Sequence, residues 1–347
     1  MTPPSNLAIV IPAYNAAEHL QRSLPATRAI ASDLEILVVD AGSTDATAAV
    51  ATSLGARVLR LPERAGPAEA RNRGVDALEA QVVLFLDSDC VPHPDVAKRV
   101  HDAFGADPEL VGLCGSYDEH PPDPGFFSQY MNLRHHFTHQ HARTDTTTFW
   151  AGCGAVRRKA FLEAGGFDED RFPRPQIEDI ELATRLAPLG RMRLDPELRV
   201  THLKRWSLRG VVETDIFSRA VPWSRLIRDR GSMPNDLNLR TSQRVAAALA
   251  PLTLLALPGA PLAALLGYAW LGVLGAGVVT AGLALQAPML RFFARRRGLG
   301  FSLGAWLFHQ VHLLYSAATF AWIQLFEPRV SRASSGGGRQ AGKVGPR

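Results

Sequence analysis

The sequence predicts an α/β protein, a mostly parallel sheet flanked by helices, followed by a C-terminal helical membrane region. Three observations carry this. Strand-like and helix-like patterns alternate through the N-terminal third, the run VVLFLDSDC at 82–90 is apolar until it ends in two carboxylates, and no Asp, Glu, Lys or Arg occurs from 245 to 290. Alternation at this spacing indicates βαβ units. A continuous apolar run bounded by turn residues indicates a strand covered on both faces. An uncharged stretch about twice the ~20 residues of a membrane helix indicates two spans or a hairpin.

The elements follow in order. LAIVIPAY (7–14) and LEILVVDAGS (34–43) read as strands ending in polar turns, with the helical pattern AAEHLQRSLPATRAI between them. A helix begins near Thr44, where STDAT offers N-cap chemistry, and ARVLRLP is a third short strand. The loop ERAGPAEARNRGVDALEA becomes helical and leads into VVLFLDSDC. After residue 120 the pattern loosens: HPPDPG marks a turn and RHHFTHQHA follows. His135 and His139 are four apart, a spacing open to metal ligation, but no Cys, Asp or Glu at ligand spacing completes a tetrahedral site, so a polar helix or loop is the plainer reading.

Composition narrows the function classes. Three cysteines, Cys90, Cys114 and Cys153, are an odd number without metal-type spacing and fit reduced thiols. The N-terminus lacks the basic flank of a signal peptide. The net charge of +5 does not indicate nucleic acid, because basic residues gather beside the apolar segments, as Arg240 and Arg244 before and RFFARRRG (291–298) after. That clustering suits cytoplasmic flanks and anionic lipid headgroups. A third apolar segment, 301–326, contains His309, Gln310 and His312 and either spans or lies in the interface. An even number of crossings, or an interfacial third helix, keeps the basic tail on the cytoplasmic side.

Asp87 and Asp89 emerge at the carboxyl end of a buried strand, where open α/β sheets bind ligands, so two like charges there serve to hold a cation. Mg²⁺ or Mn²⁺ is commonly held by one or two carboxylates, with phosphate and water at the remaining positions. Asp179 opens a segment with apolar Ile180, Leu182, Ala183 and Leu186, which places it in the first turn of an amphipathic helix. A carboxylate there favours the helix dipole, and it is also the best candidate for a general base. Arg71 is a candidate diphosphate or base contact, or else pairs with Glu69 or Asp76 on a helix surface. Gly152 and Gly154 in FWAGCGAVRR permit close backbone approach or mark strand bulges.

Taken together, IPAYNAAEHL, VVDAGSTDAT, AEARNRGVDA with VVLFLDSDC, and GGFDE followed by IEDIELATRL resemble the family 2 glycosyltransferases over roughly residues 6 to 206. The resemblance implies a Rossmann-like GT-A fold and a nucleotide-sugar donor. It implies donor contacts at Pro12, Tyr14, Asp40, Gly42, Arg71, Asp87 and Ser88, with Asn72 in the same loop as Arg71. Asp89 would bind the metal, Asp87 would lean toward ribose and metal-bound water, and His202 would be a third ligand. Asp179 would be the base of an inverting transfer, with Glu178 orienting the acceptor beside Gly152, Cys153 and Gly154. HLKRW resembles the QxxRW motif of membrane synthases with His in place of Gln, which puts Arg205 and Trp206 at the acceptor channel. Where many members have Asp-Asp, this chain has Asp40-Ala41, which leaves the nucleotide open.

The expected organisation is a catalytic domain at 1–235, a membrane-associated region at 236–330 with apolar segments near 245–266, 268–290 and 301–326, and a disordered basic tail at 331–347. The expected protein is membrane-bound with its catalytic domain cytoplasmic, acting on a lipid-linked or membrane-embedded acceptor among membrane lipids and not on nucleic acid. Pro258 and Pro261 are expected to break the long apolar run early. Two rivals use the same residues. One is an inactive nucleotide-sugar-binding membrane scaffold; the other is a haloacid-dehalogenase-type phosphatase, in which Asp87 of LFLDSDCV is the nucleophile.

Overall fold

A computed structural model of the chain describes residues 7–231, 233 and 239–328. The tail expected to be disordered and the boundary drawn at 235–236 lie outside the described residues. The elements run β1 (Leu7–Ala13), α1 (Ala17–Ile30), β2 (Glu35–Asp40), α2 (Thr47–Ser53), β3 (Arg57–Arg60), α3 (Pro67–Asp76), β4 (Val82–Leu86), β5 (Cys90–Pro92) and α4 (Val96–Ala106). They continue with β6 (Leu110–Tyr117), α5 (Phe126–Gln140), β7 (Cys153–Arg157), α6 (Arg158–Glu163), α7 (Glu178–Leu186) and β8 (Arg191–His202). Then come α8 (Leu208–Glu213), a π-helical stretch (Thr214–Ala220), α9 (Val221–Arg230), α10 (Thr241–Leu265) and α11 (Ala269–Phe326).

One sheet takes the order β3-β2-β1-β4-β7-β6-β8-β5. Its first half is parallel, as the βαβ pattern predicts. Beyond β4 it becomes mixed: β7 runs antiparallel to both β4 and β6, and β5 runs antiparallel to β8. The apolar run of β4 is explained by its central place. Leu84 and Leu86 point into one core with Ile9 and Ile11 of β1 and Leu20 and Leu24 of α1, while Val83 and Phe85 point into the other with Val75 of α3, Phe161 of α6 and Leu182 of α7. Burial on both sides is what removes the alternation of polar and apolar residues.

Among the described residues α10 and α11 are long and apolar enough to cross a membrane. The prolines at 258 and 261 do not break α10, which runs through Pro251, Pro258 and Pro261 to Leu265. Tolerated prolines of this kind belong to apolar helices whose neighbours compensate the missing bond. The chain turns instead at Gly267 (φ +84°), where the Tyr268 amide donates to the Ala263 carbonyl and the Gly267 amide to that of Ala264. That pattern is a Schellman cap, which a left-handed glycine completes without steric cost. The first half of α11 packs back along α10 with small residues in contact, Gly275 against Ala260 and Gly282 against Thr253. Close backbone approach through small residues is how helices associate in lipid.

A second break at Gly298 (φ +86°) divides α11. The half after it lies along the catalytic domain from end to end. Phe301 meets Phe126, Tyr130 Oη lies 2.7 Å from His309 Nδ1, and Arg228 Nη1 donates to the Ile323 carbonyl at 2.9 Å. Its opposite face, with Leu303, Leu307, Val311 and Leu314, is exposed and apolar. His309, Gln310 and His312 are therefore turned toward protein, and Gln310 donates to Gln286 Oε1 at 3.1 Å. The basic tract packs on the domain too, with Arg296 paired to Glu119 at 2.8 Å and Arg297 donating to Gln129 at 2.6 Å.

Candidate active site

The turn after β4 is pinned at both carboxylates. The Asp87 amide donates to the Gly152 carbonyl at 3.1 Å, and the Asp89 carbonyl accepts from the Leu203 amide at 2.8 Å. Pairing of β5 with β8 sets Cys90 opposite His202, and this register brings His202 beside the neighbouring Asp89, with Nε2 3.4 Å from Oδ2. Tyr117 stacks on the His202 ring at 4.2 Å and fixes its plane. Burial opposes ionisation of Asp89, but the charge and hydrogen bond of His202 and the Lys204 ammonium outweigh it and hold the carboxyl well below the usual range.

Arg71 does not pair with Glu69 or Asp76. It is buried on the inner face of α3, with Nη2 2.7 Å from Asp87 Oδ1 and Nη1 3.0 Å from Glu178 Oε1. One guanidinium thus ties the end of β4 to the start of α7. Its neighbour Asn72 clips the GGFDE loop, donating to the Phe167 carbonyl and accepting from the Phe167 amide, both at 2.9 Å. Asp179 lies in the first turn of α7, as the amphipathic pattern predicts. Its Oδ2 accepts from the Ala151 amide at 3.1 Å and its Oδ1 from the Ile180 amide at 2.8 Å. Burial and then the Glu178 charge push its pKa up to about 7, against the pull of those amides and of Arg71.

A single cavity of about 1330 Å³ runs through these groups. Pro12, Tyr14, Ala41 and Arg64 line one end, with the Arg64 guanidinium 4.6 Å over the Tyr14 ring. Arg71, Asp87, Ser88, Asp89, Gly152, Glu178, Asp179 and His202 line its middle. Trp206 and residues of the π-helical stretch, α10 and α11 line the other end. Several expected contacts lie elsewhere. Asp40 is fully buried, accepting from the Ser43 amide at 2.9 Å, so it shapes the turn instead of facing the cavity. Gly42 (φ +77°) is needed because a Cβ there would meet the Glu63 carbonyl at 2.5 Å. Cys153 and Gly154 sit inside β7, opposite Leu86 and Phe85, and a Cβ on Gly154 would strike the Trp150 carbonyl at 2.4 Å, so this glycine makes room for packing. Arg205 is exposed and does not line the cavity. Conversely, Tyr117, Arg134, Lys204 and Arg219 line it, although none of the four was expected to. His135 and His139 do face one wall, with His135 stacked on Tyr117 at 5.8 Å, and no cluster of three or more His, Cys, Asp or Glu able to hold a metal exists among the described residues.

The donor set fits a hard divalent cation that keeps open positions. Asp89 and His202 converge on the cavity, and the remaining sites are left to phosphate oxygens and water. Asp87 has one oxygen committed to Arg71, which suits a supporting place better than a second direct ligand. The same ion pair, on the fourth strand of a mixed sheet, gives no support to Asp87 as a phosphatase nucleophile.

Residues 8–166 match the model of glycosyl transferase family 2. A pre-mycofactocin glycosyltransferase of Mycobacterium tuberculosis is 28% identical over 222 residues, covering 61% of this chain and 46% of that protein. Validoxylamine A glucosyltransferase of Streptomyces hygroscopicus is 33% identical over 221 residues, covering 53% of this chain and 52% of its own length. The chain thus spans about half the length of these curated relatives. A mannosyltransferase from Pyrobaculum calidifontis, solved in complex with GDP-Man and Mn²⁺, superposes with a TM-score of 0.54 at 19% identity, covering 92% of this chain and 88% of that one. Residues 8–166 thus carry a match to glycosyl transferase family 2, and the mixed sheet with its flanking helices is a GT-A fold.

Proposed function

We propose that this chain transfers a sugar from a nucleotide-sugar donor to a hydroxyl group of a membrane-embedded acceptor, with inversion at the anomeric carbon and with the help of a divalent cation. The observation that carries this reading is the single cavity that joins the end of β4, the Asp179 carboxylate and the apolar helices α10 and α11. The relatives are named glycosyltransferases and the superposing mannosyltransferase was solved with a nucleotide sugar and Mn²⁺, which supports the donor class.

The nucleotide lies at the Tyr14 and Arg64 end, and its diphosphate lies against Asp89 and His202. A cation held there supplies positive charge to the oxygens of the leaving diphosphate. Arg71 keeps Asp87 and Glu178 in place. Asp179 accepts the proton of the acceptor hydroxyl as its oxygen bonds to the anomeric carbon, and the bond to the diphosphate breaks with its electron pair leaving on phosphate oxygen. A carboxylate raised to about 7 is matched to this task near neutral pH. The two N–H groups on Asp179 fix its orientation before the acceptor arrives.

The exposed apolar face on the second half of α11 and the α10–α11 hairpin would hold the cavity mouth at the membrane surface, with the half after Gly298 as an interfacial helix. The basic tract at 291–298 sits where that hairpin meets the catalytic domain, which favours the cytoplasmic face. The test is to incubate the full chain with a panel of nucleotide sugars, Mn²⁺ and native lipid extract. Release of nucleoside diphosphate that disappears in Asp89→Ala and Asp179→Asn is expected. Donor binding without turnover for every sugar nucleotide would instead identify a scaffold.

A further inference from the structure

Three cations line the cavity toward α10 and α11: the buried Arg134, the half-buried Arg219 and the exposed Lys204. Arg219 and Arg134 both face one carboxylate, Asp215, whose Oδ1 lies 2.8 Å from Arg219 Nη1 and 3.5 Å from Arg134 Nη2. The Arg134 side chain is 6% exposed, yet its Nε and Nη1 have no hydrogen-bond acceptor among the described residues. Its guanidinium lies 5.4 Å from the centre of the Tyr130 ring. Lys204 is a third cation. Its Nζ stands 4.1 Å from the Trp206 ring centre, and Arg219 approaches the same ring at 5.9 Å. The remaining contacts of Asp215 are neutral or weakly basic, His312 Nδ1 at 3.0 Å and the Tyr315 hydroxyl at 2.8 Å. Buried guanidinium donors are costly to leave unused, and an anion completes them. On the α10 and α11 wall Ala247, Ala248, Leu313, Ala317 and Phe320 supply apolar surface, interspersed with Gln243, Arg244 and Ser316.

We propose that Arg134, Lys204 and Arg219 form an anion subsite for a phosphate ester carried by the acceptor, and that the acceptor's hydrocarbon chain lies on the α10 and α11 wall beside it. This rests on reading that end of the cavity as the acceptor side. Planar guanidinium groups match phosphate oxygens, and a lysine adds a point charge. A neutral amphiphile leaves the Arg134 donors unmet, whereas a water-soluble phosphate ester leaves the apolar wall unused.

The experiment is calorimetric titration of the full chain, held in a neutral maltoside detergent, with dodecyl phosphate, dodecanol and inorganic phosphate. Saturable binding of dodecyl phosphate is expected, weakened about tenfold or more by Lys204→Met and by Arg219→Met. Arg209→Gln removes an exposed positive charge paired with Glu213 outside the cavity and is expected to bind as the unmodified chain does. Among the described residues Lys204 makes no salt bridge and its close contact is the Trp206 ring, so its variant remains informative if Arg219→Met is unstable. Equal binding of inorganic phosphate and dodecyl phosphate would overturn the hydrocarbon part of the proposal. Unchanged binding in Lys204→Met, or loss of nucleoside diphosphate binding in its place, would overturn the subsite. Because the readout is binding, lost turnover with dodecyl phosphate binding intact would count against the transferase reading alone.

Discussion

Replacing Asp179 by Asn should destroy activity and yet stabilise the protein at alkaline pH. Holding this carboxyl at about 7 instead of an ordinary 3.8 costs the ionised native state about 4 kcal/mol, at about 1.4 kcal/mol per pH unit. The amide variant carries no charge but has one acceptor oxygen where the carboxylate has two, so one of the N–H groups from Ala151 and Ile180 loses its partner, a loss of about 1–2 kcal/mol. The net gain above neutral pH is then about 2–3 kcal/mol. The sign depends on pH. A carboxyl raised in the native state binds its proton more tightly there than in the unfolded chain, so the native state loses stability as pH rises from 3.8 toward about 7. The advantage of the variant should therefore shrink by about 2–3 kcal/mol between about pH 8 and about pH 5. Thermal unfolding of both proteins in one detergent at the two pH values reads this difference directly. Activity should fall by about 10²–10⁴ for loss of a general base. A variant whose relative stability ignores pH, or one that still turns over, refutes the reasoning.

Three other perturbations follow from the same geometry. Arg71→Met leaves Asp87, Glu178 and Asp179 facing one another without their shared cation, and should lower stability by about 3–5 kcal/mol in a chemical melt, with part of the loss restored by adding Glu178→Gln. Asp215→Asn strips Arg134 and Arg219 of their buried counter-ion, and the same melt should show a loss of similar size, about 3–5 kcal/mol. Gly66→Ala places a Cβ 2.5 Å from the Pro173 carbonyl, so the 173–177 loop that lines the cavity must move. A cost of about 1–3 kcal/mol is expected, together with weaker nucleoside diphosphate binding by calorimetry.

Much of the frame was legible because burial leaves a pattern. The strand that carries Asp87 and Asp89 is apolar throughout because β1 and β7 flank it and helices cover both its faces. The α7 helix announced itself through apolar residues at helical spacing, and Asp179 fell where a helix begins. The partners of Arg71 did not show, because Glu178 lies 107 residues away and only the closed fold brings it to α3. Gly154 and Cys153 looked like an acceptor wall because small residues permit approach, but the neighbours they admit are Trp150 and Phe149. The prolines of α10 looked like breaks because that rule describes helices in water. Arg134, Lys204 and Arg219 escaped notice because three cations far apart in the chain come together only where α5, the segment after β8 and the π-helical stretch meet. A π-helical stretch has no sequence signature, although such irregular turns gather at functional sites.

On the proposed reading the end of β4 holds a divalent cation against a nucleoside diphosphate, within one cavity shared with Asp179. Anomalous diffraction from crystals grown with Mn²⁺ and a nucleoside diphosphate tests it most directly. One manganese peak coordinated by Asp89 and His202 and touching the diphosphate is expected, together with its loss in Asp89→Ala. A peak elsewhere, or a diphosphate bound in the cavity with no metal beside Asp89, would contradict it.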